Sequence, residues 1–211
     1  MKSQVFLWIC TLIIFSHCST TNVANQQALQ EIREFQRELN QDYKDPEKTP
    51  LKGNNVSKFV AHTFFPVDLD YRLEAQLEID KHSEPFDMET SSGRTVKYRK
   101  YGVAHFILHG KSQQLTIYQN LKNLESEEYK DFLFLPFKDE TNGTDTYGGG
   151  RYINLTIPQS NTIIIDFNQA YNPYCAYTAF GYSCPLVPEE NHLTVVIPAG
   201  VKYEHGKWYD E

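Results

Sequence analysis

Cys175 and Cys184 stand in one segment, Asp166 to Asn191, with four tyrosines and three prolines. Thiols at this spacing could close a disulfide, stay free, ligate a metal or supply a nucleophile. A disulfide would close a loop of about ten residues and stabilise the domain by roughly 2.5–3 kcal/mol in the chain-entropy account. Zinc usually draws its cysteines from closer pairs, and His192, His105 or His109 would have to complete the shell. A nucleophilic Cys175 needs a neighbouring base, and no histidine lies close in sequence. The disulfide is the leading expectation, with the other three left open.

Asp166 and Asn168 lie two apart at the end of the apolar run "TIII", so both side chains share one face. A carboxylate there can orient a ligand or act as a base, or it can hold the loop that follows. Asn172-Pro173 is a turn initiator by the same logic. A second polar group occupies "PFKDETNGTDTYGGGR", with Asp139, Asn142, Asp145, Tyr147 and Arg151. Its oxygens lack the spacing of a calcium loop. Its glycines precede a strand and not a helix N-terminus, so they form no usual phosphate cradle. Arg151 could clamp a carboxylate or phosphate with its planar fork, or pair with Asp139 or Asp166. The candidate ligand-binding residues are Asp139, Tyr147, Arg151, Asp166, Asn168, Asn172, Tyr174 and Asn191. We expect no cofactor and no metal.

The elements that must position these residues are mostly strands. From Asn25 to Asp42, Leu29, Ile32, Phe35 (or Gln36) and Leu39 recur at three- and four-residue steps, which predicts a helix ending before Pro46. After about Val56 the period changes to two. "KFVAHTFFPVD", "YRLEAQLEID", "GVAHFILHG", "QQLTIYQN", "DFLFLPF", "RYINLTI", "NTIIIDFN" and "NHLTVVIPAG" read as strands separated by turn signals. In "GVAHFILHG", Ala104, Phe106 and Leu108 face one way, with Val103, His105, Ile107 and His109 opposite. His105 and His109 would stand about 13 Å apart along such a strand, too far to share a metal. Crossover helices are absent, so the expected fold is mainly β: a single antiparallel β-barrel or compact β-sandwich of about 8–9 strands with an N-terminal α-helix.

Residues 1–17 have the short basic start and apolar run of a signal peptide. The run ends in "FSHC", and small polar residues follow Cys18. This resembles a bacterial lipoprotein signal, although His17 stands where a small residue is expected, and it implies lipidation at Cys18. Residues 18–55 then form a tether (19–24), a helix and a loop, and 56–211 the β domain. The exit route implies an extracytoplasmic place on the bacterial cell envelope, where a disulfide persists. The net charge of −7 and the lack of a basic stripe argue against nucleic acid as a partner.

The strings "LPFKDETNGTDTYGGGRYI" and "DFNQAYNPYCAYTAFGYSCPLVPEENHLTVVIPAGVK" resemble the signature blocks of the Domain of Unknown Function 1684 family. The resemblance runs from about Gln30 to the C-terminus. "AGVK" departs from it where an acid usually follows the glycine. The family implies domain boundaries and no chemistry.

The leading reading is an envelope-anchored protein that binds a small molecule or envelope component. Its pocket would lie between the 136–151 and 166–191 segments. One alternative is a hydrolase-type enzyme using Asp139, Asp166 or Cys175. The other is a structural or interaction module whose signature residues knit two loops together.

Overall fold

The computed structural model describes residues 15–178, 181–204, 206 and 207, with side chains of the first helix described from Asn22. Most of the expected signal peptide, and the side chain of Cys18, therefore lie outside the described residues. No described helix is long and apolar enough to cross a membrane.

Helix α1 spans Phe15–Lys44. It starts ten residues before the expected Asn25, so the segment expected as a tether, 19–24, is helical. Asn22 to Gln27 are all exposed; burial begins at Ala28 and recurs at Ile32 and Tyr43. Leu29, Phe35 and Leu39 are half-buried, so the apolar stripe lies where the sequence placed it. A short helix α2, Asn54–Lys58, follows the loop.

Seven strands follow: β1 Arg72–Ile79, β2 Phe86–Glu89, β3 Thr95–Leu108, β4 Lys111–Asn120, β5 Phe132–Phe137, β6 Arg151–Thr156 and β7 Thr162–Asp166. Their order is β6-β5-β4-β3-β1-β7, with β2 also on β3, and every named pair is antiparallel. The edge strands β6 and β7 are joined by residues 157–161 alone. Laid flat, those edges would stand about 24 Å apart at ~4.8 Å per strand, beyond the roughly 20 Å that so short a connection reaches. The sheet must curl, and it forms a half-barrel rather than the closed barrel or sandwich expected.

The long β3 serves two neighbours. Its first half pairs with β2, and its second half with β1. A bulge between Lys100 and Gly102 separates the halves. Gly102 is required there, because a Cβ would lie 2.5 Å from the carbonyl oxygen of Glu78. The β3–β4 hairpin turns on His109 and Gly110, both at positive φ, which is the geometry of a tight primed turn. His109 thus sits in the turn and not on the strand face, and its Nε2 lies 3.1 Å from the Tyr71 hydroxyl.

Ala104, Phe106 and Leu108 point inward as the alternation requires. They join Ile117, Leu135 and Ile165 in the main core on the concave face. Each of the larger of these side chains, fully buried, contributes about 1.5–3 kcal/mol. Strand β5 is buried on both faces, because Phe134 joins Tyr118, Tyr152 and Val187 in a second cluster on the reverse side. A third cluster packs Tyr43 of α1 against Phe59, Tyr177 and Tyr203.

Two expected strands are absent. Lys58 to Asp68 and Asn191 to Gly200 form no strand; each makes an isolated bridge, Phe64 with Val201 and His192 with Lys138. Pro66 and Pro198 lack the N–H a ladder needs, and Gly200 is at φ 80°. Some of this backbone pairs outside any ladder, as Phe65 N–H does with the Gly200 carbonyl and Leu193 N–H with that of Lys138, and side chains satisfy more of it. Asn40 accepts from the His62 N–H at 2.7 Å. Asn168 both accepts from the Asp68 N–H and donates to its carbonyl, at 3.0 and 2.9 Å.

Candidate functional site

Arg151 opens β6 with its side chain turned inward and 0% exposed. Its Nη2 donates to Asp139 Oδ1 at 2.9 Å and to the Ile197 carbonyl at 3.0 Å, and its Nη1 donates to the Ala199 carbonyl. The guanidinium lies over the Phe137 ring, 5.1 Å from its centre. Asp139 in turn accepts from the Ile197 N–H at 2.8 Å and from the Thr141 hydroxyl. Burial pushes the Arg151 pKa down against the pull of Asp139. This pair clasps the turn after β5 to the 197–199 segment. Residues 138–150 are tied down further by Asn142, which accepts from the Asp139 N–H and donates to the Tyr147 carbonyl. Tyr147 packs edge-on against Tyr203 at 5.2 Å.

Asp166 and Asn168 belong to one hydrogen-bonded network. Asp166 accepts from the Asn168 N–H and side-chain amide, at 3.0 and 2.9 Å, and from Arg72 at 2.7 Å. Arg72 bridges to Glu31 of α1, also at 2.7 Å. Burial works against the Arg72 charge, but Asp166 and Glu31 outweigh it and raise its pKa. This chain of charges binds the helix to the β1–β7 edge.

Asn191 is 0% exposed. Its side-chain oxygen accepts from the Thr116 N–H at 2.8 Å, and its amide donates to the Thr116 and Pro136 carbonyls at 2.8 and 2.7 Å. Tyr118 opposite Phe134 puts Thr116 opposite Pro136 in register. Asn172, 1% exposed, donates to the Tyr177 hydroxyl at 2.9 Å and to the Lys202 carbonyl at 3.3 Å.

Six of the eight candidates, Asp139, Arg151, Asp166, Asn168, Asn172 and Asn191, are thus buried and engaged with backbone or with one another. None of the six lines the cleft described next, and the 136–151 segment forms no wall of it. Their polar types signalled loop-fastening, the use the sequence could not separate from ligand binding.

Cys175 and Cys184 form a disulfide, with Cα atoms 6.2 Å apart. No group of His, Cys, Asp or Glu suited to a metal occurs among the described residues. Ser183, beside the bond, lies 2.7 Å from the Thr90 hydroxyl and 2.6 Å from that of Ser92, which fastens the bridged arch to the β2–β3 turn.

Between this arch, β6 and α1 opens a cleft of about 540 Å³. Helix α1 contributes Phe35, Glu38 and Asp42; β6 contributes Tyr152 and Asn154; the arch contributes Tyr171, Tyr174 and Tyr182. Tyr174 alone belongs to the eight candidates. Tyr174 and Tyr182 meet edge-on at 5.0 Å, and Tyr171 and Tyr152 at 5.9 Å. The Tyr171 hydroxyl donates to Asn154 at 2.6 Å, and that of Tyr152 to the Pro185 carbonyl. Burial raises both phenols far above their ordinary pKa, so they stay neutral. Volume and aromatic lining are those of a small-molecule site. Sequence reasoning read the apolar stripe of this helix and did not single out Glu38 or Asp42. The missed signal was Phe35, Glu38, Leu39 and Asp42 at helical spacing, which puts two carboxylates beside the apolar stripe.

Among solved structures, this chain is similar to an uncharacterized protein of Haloarcula marismortui studied by solution NMR. The two share 30% identity and a TM-score of 0.70, over 88% of this chain and 99% of that one. No curated protein matches. The sequence model of the Protein of unknown function (DUF1684) family matches residues 57–202, so it takes in the half-barrel, the Arg151–Asp139 clasp and the bridged arch but not α1. The chain belongs to the DUF1684 family.

Proposed function

We propose that this is an envelope-anchored binding protein that takes a small organic molecule in the cleft between α1 and the bridged arch. The carrying observation is the cleft itself: about 540 Å³, walled by five aromatic rings from three separate elements. The signature residues fasten the scaffold, and the aromatic walls do the binding. Export is supported by the signal-like residues 1–17 and by the disulfide, which fits an oxidising compartment. Anchoring would be through lipid on Cys18.

Ligand capture is tested by screening a fragment library against the mature chain by NMR, with Tyr171→Ala as control. Hits that shift signals of Phe35, Tyr171 and Tyr174, and vanish in the variant, are expected. A library with no hit in the cleft returns the protein to the interaction-module reading. Anchoring is tested by metabolic labelling with a clickable fatty acid, which should mark the wild type and not Cys18→Ala.

A further inference from the structure

We infer that the cleft selects a cation, an organic ammonium carried on an apolar body; this rests on the binding reading above. Glu38 and Asp42 lie one helical turn apart on α1, and both border the cleft. Among the described residues, no lysine, arginine or histidine lines it. Asp42 gives one oxygen to Lys48 at 2.8 Å, outside the lining, and keeps the other. The cation nearest Glu38 is Arg37 at 3.7 Å, whose guanidinium is already engaged by Glu34 and Gln41.

The rings reinforce this sign. Aromatic faces carry negative potential and attract ammonium groups within about 6 Å. Four tyrosines and Phe35 border the cleft, and their edge-on pairs leave ring faces in more than one direction. An anion would meet two carboxylates and several π faces, while Lys48 and Arg37 stand outside the lining and are already paired with acids. A neutral ligand would gain the rings and leave the carboxylates unused. An ammonium on an apolar skeleton uses both.

Three probes of one shape separate the possibilities: benzyltrimethylammonium, benzyl alcohol and benzoate, each titrated by NMR into the full mature chain. The ammonium is expected to bind about tenfold more tightly than the alcohol. Benzoate should give no shift at Phe35, Tyr171 or Tyr174. In Glu38→Gln/Asp42→Asn, ammonium affinity should fall to that of the alcohol, while the alcohol's stays unchanged. Both carboxylates sit on the helix surface, so an unchanged melting temperature confirms that this variant is folded. If alcohol and ammonium bind equally, or the double variant loses nothing, the cation inference fails while the cleft stands as a site. If none of the three probes shifts cleft signals, the binding reading fails with it.

Discussion

The Asn191 side-chain amide stands in for the N–H that Pro136 lacks. It donates to the Thr116 carbonyl, which would otherwise face a proline nitrogen, and to the Pro136 carbonyl beside it. A proline is thereby accommodated in an interior strand, where it is normally excluded. The cost of the arrangement is dependence on one residue brought in from 55 positions away.

Asn191→Leu should therefore leave three backbone groups without partners in a dry environment. We expect a loss of about 2–4 kcal/mol. Urea denaturation of wild type and variant measures it. A loss comparable to an ordinary surface substitution would show that the wedge is dispensable.

Arg151→Met should cost about 3–5 kcal/mol, because Asp139 would remain buried without its partner. Adding Asp139→Asn should recover part of the loss by removing the uncompensated charge. The comparison is a double-mutant cycle on denaturation midpoints. Additive losses would contradict the clasp.

His62 predicts an acid-sensitive fold. It is 9% exposed among Tyr43, Phe59 and Tyr177, and its Nε2 has no hydrogen-bond partner among the described residues. Burial, helped by Lys207, holds its pKa at about 3, below the ordinary 6.5. The unfolded chain thus binds the proton first. Stability is full above pH 6.5 and falls as pH drops toward 3, by about 3 kcal/mol between pH 7 and 4. His62→Phe should flatten that limb of the stability profile; a slope unchanged by the variant would assign it to other groups.

Thiol counting on protein exported to an oxidising compartment should find no free thiol at Cys175 or Cys184. Cys175→Ser/Cys184→Ser should lower stability by about 2.5–3 kcal/mol. Ser183, Cys184 and Pro185 form part of the cleft wall, so ligand affinity should fall with it. Retained affinity would mean that the hydroxyl contacts of Thr90 and Ser92 suffice to hold the arch.

The parts of the fold governed by periodicity could be read from the chain. The alternation at Ala104, Phe106 and Leu108 and the stripe from Leu29 to Leu39 fixed faces correctly, because burial follows local spacing. Strand number could not be read in the same way. Lys58 to Asp68 and Asn191 to Gly200 have strand-like composition, yet part of their backbone is satisfied by the side chains of Asn40, Asn168, Arg151 and Asp139, partners distant in sequence. The same limit applies to the site. Asp139, Arg151 and Asn191 announce polar importance, and residue type alone does not say whether the partner is a ligand or a carbonyl. The cleft needs α1 placed against the arch, a relation that no local pattern encodes.

The exposed start of α1 has a mechanical consequence. Asn22 to Gln26 are exposed, and Gln27 reaches along the helix to Glu31 at 2.9 Å, so a protease cutting before Gln27 would release the domain with its cleft whole. On the anchoring proposed above, the same residues form a rod of adjustable length between the half-barrel and its support. Each residue removed would shorten the standoff by about 1.5 Å and rotate the domain by about 100°. Deleting three or four would nearly restore the original facing while bringing the cleft closer to its support. Deleting two would turn the cleft most of the way round.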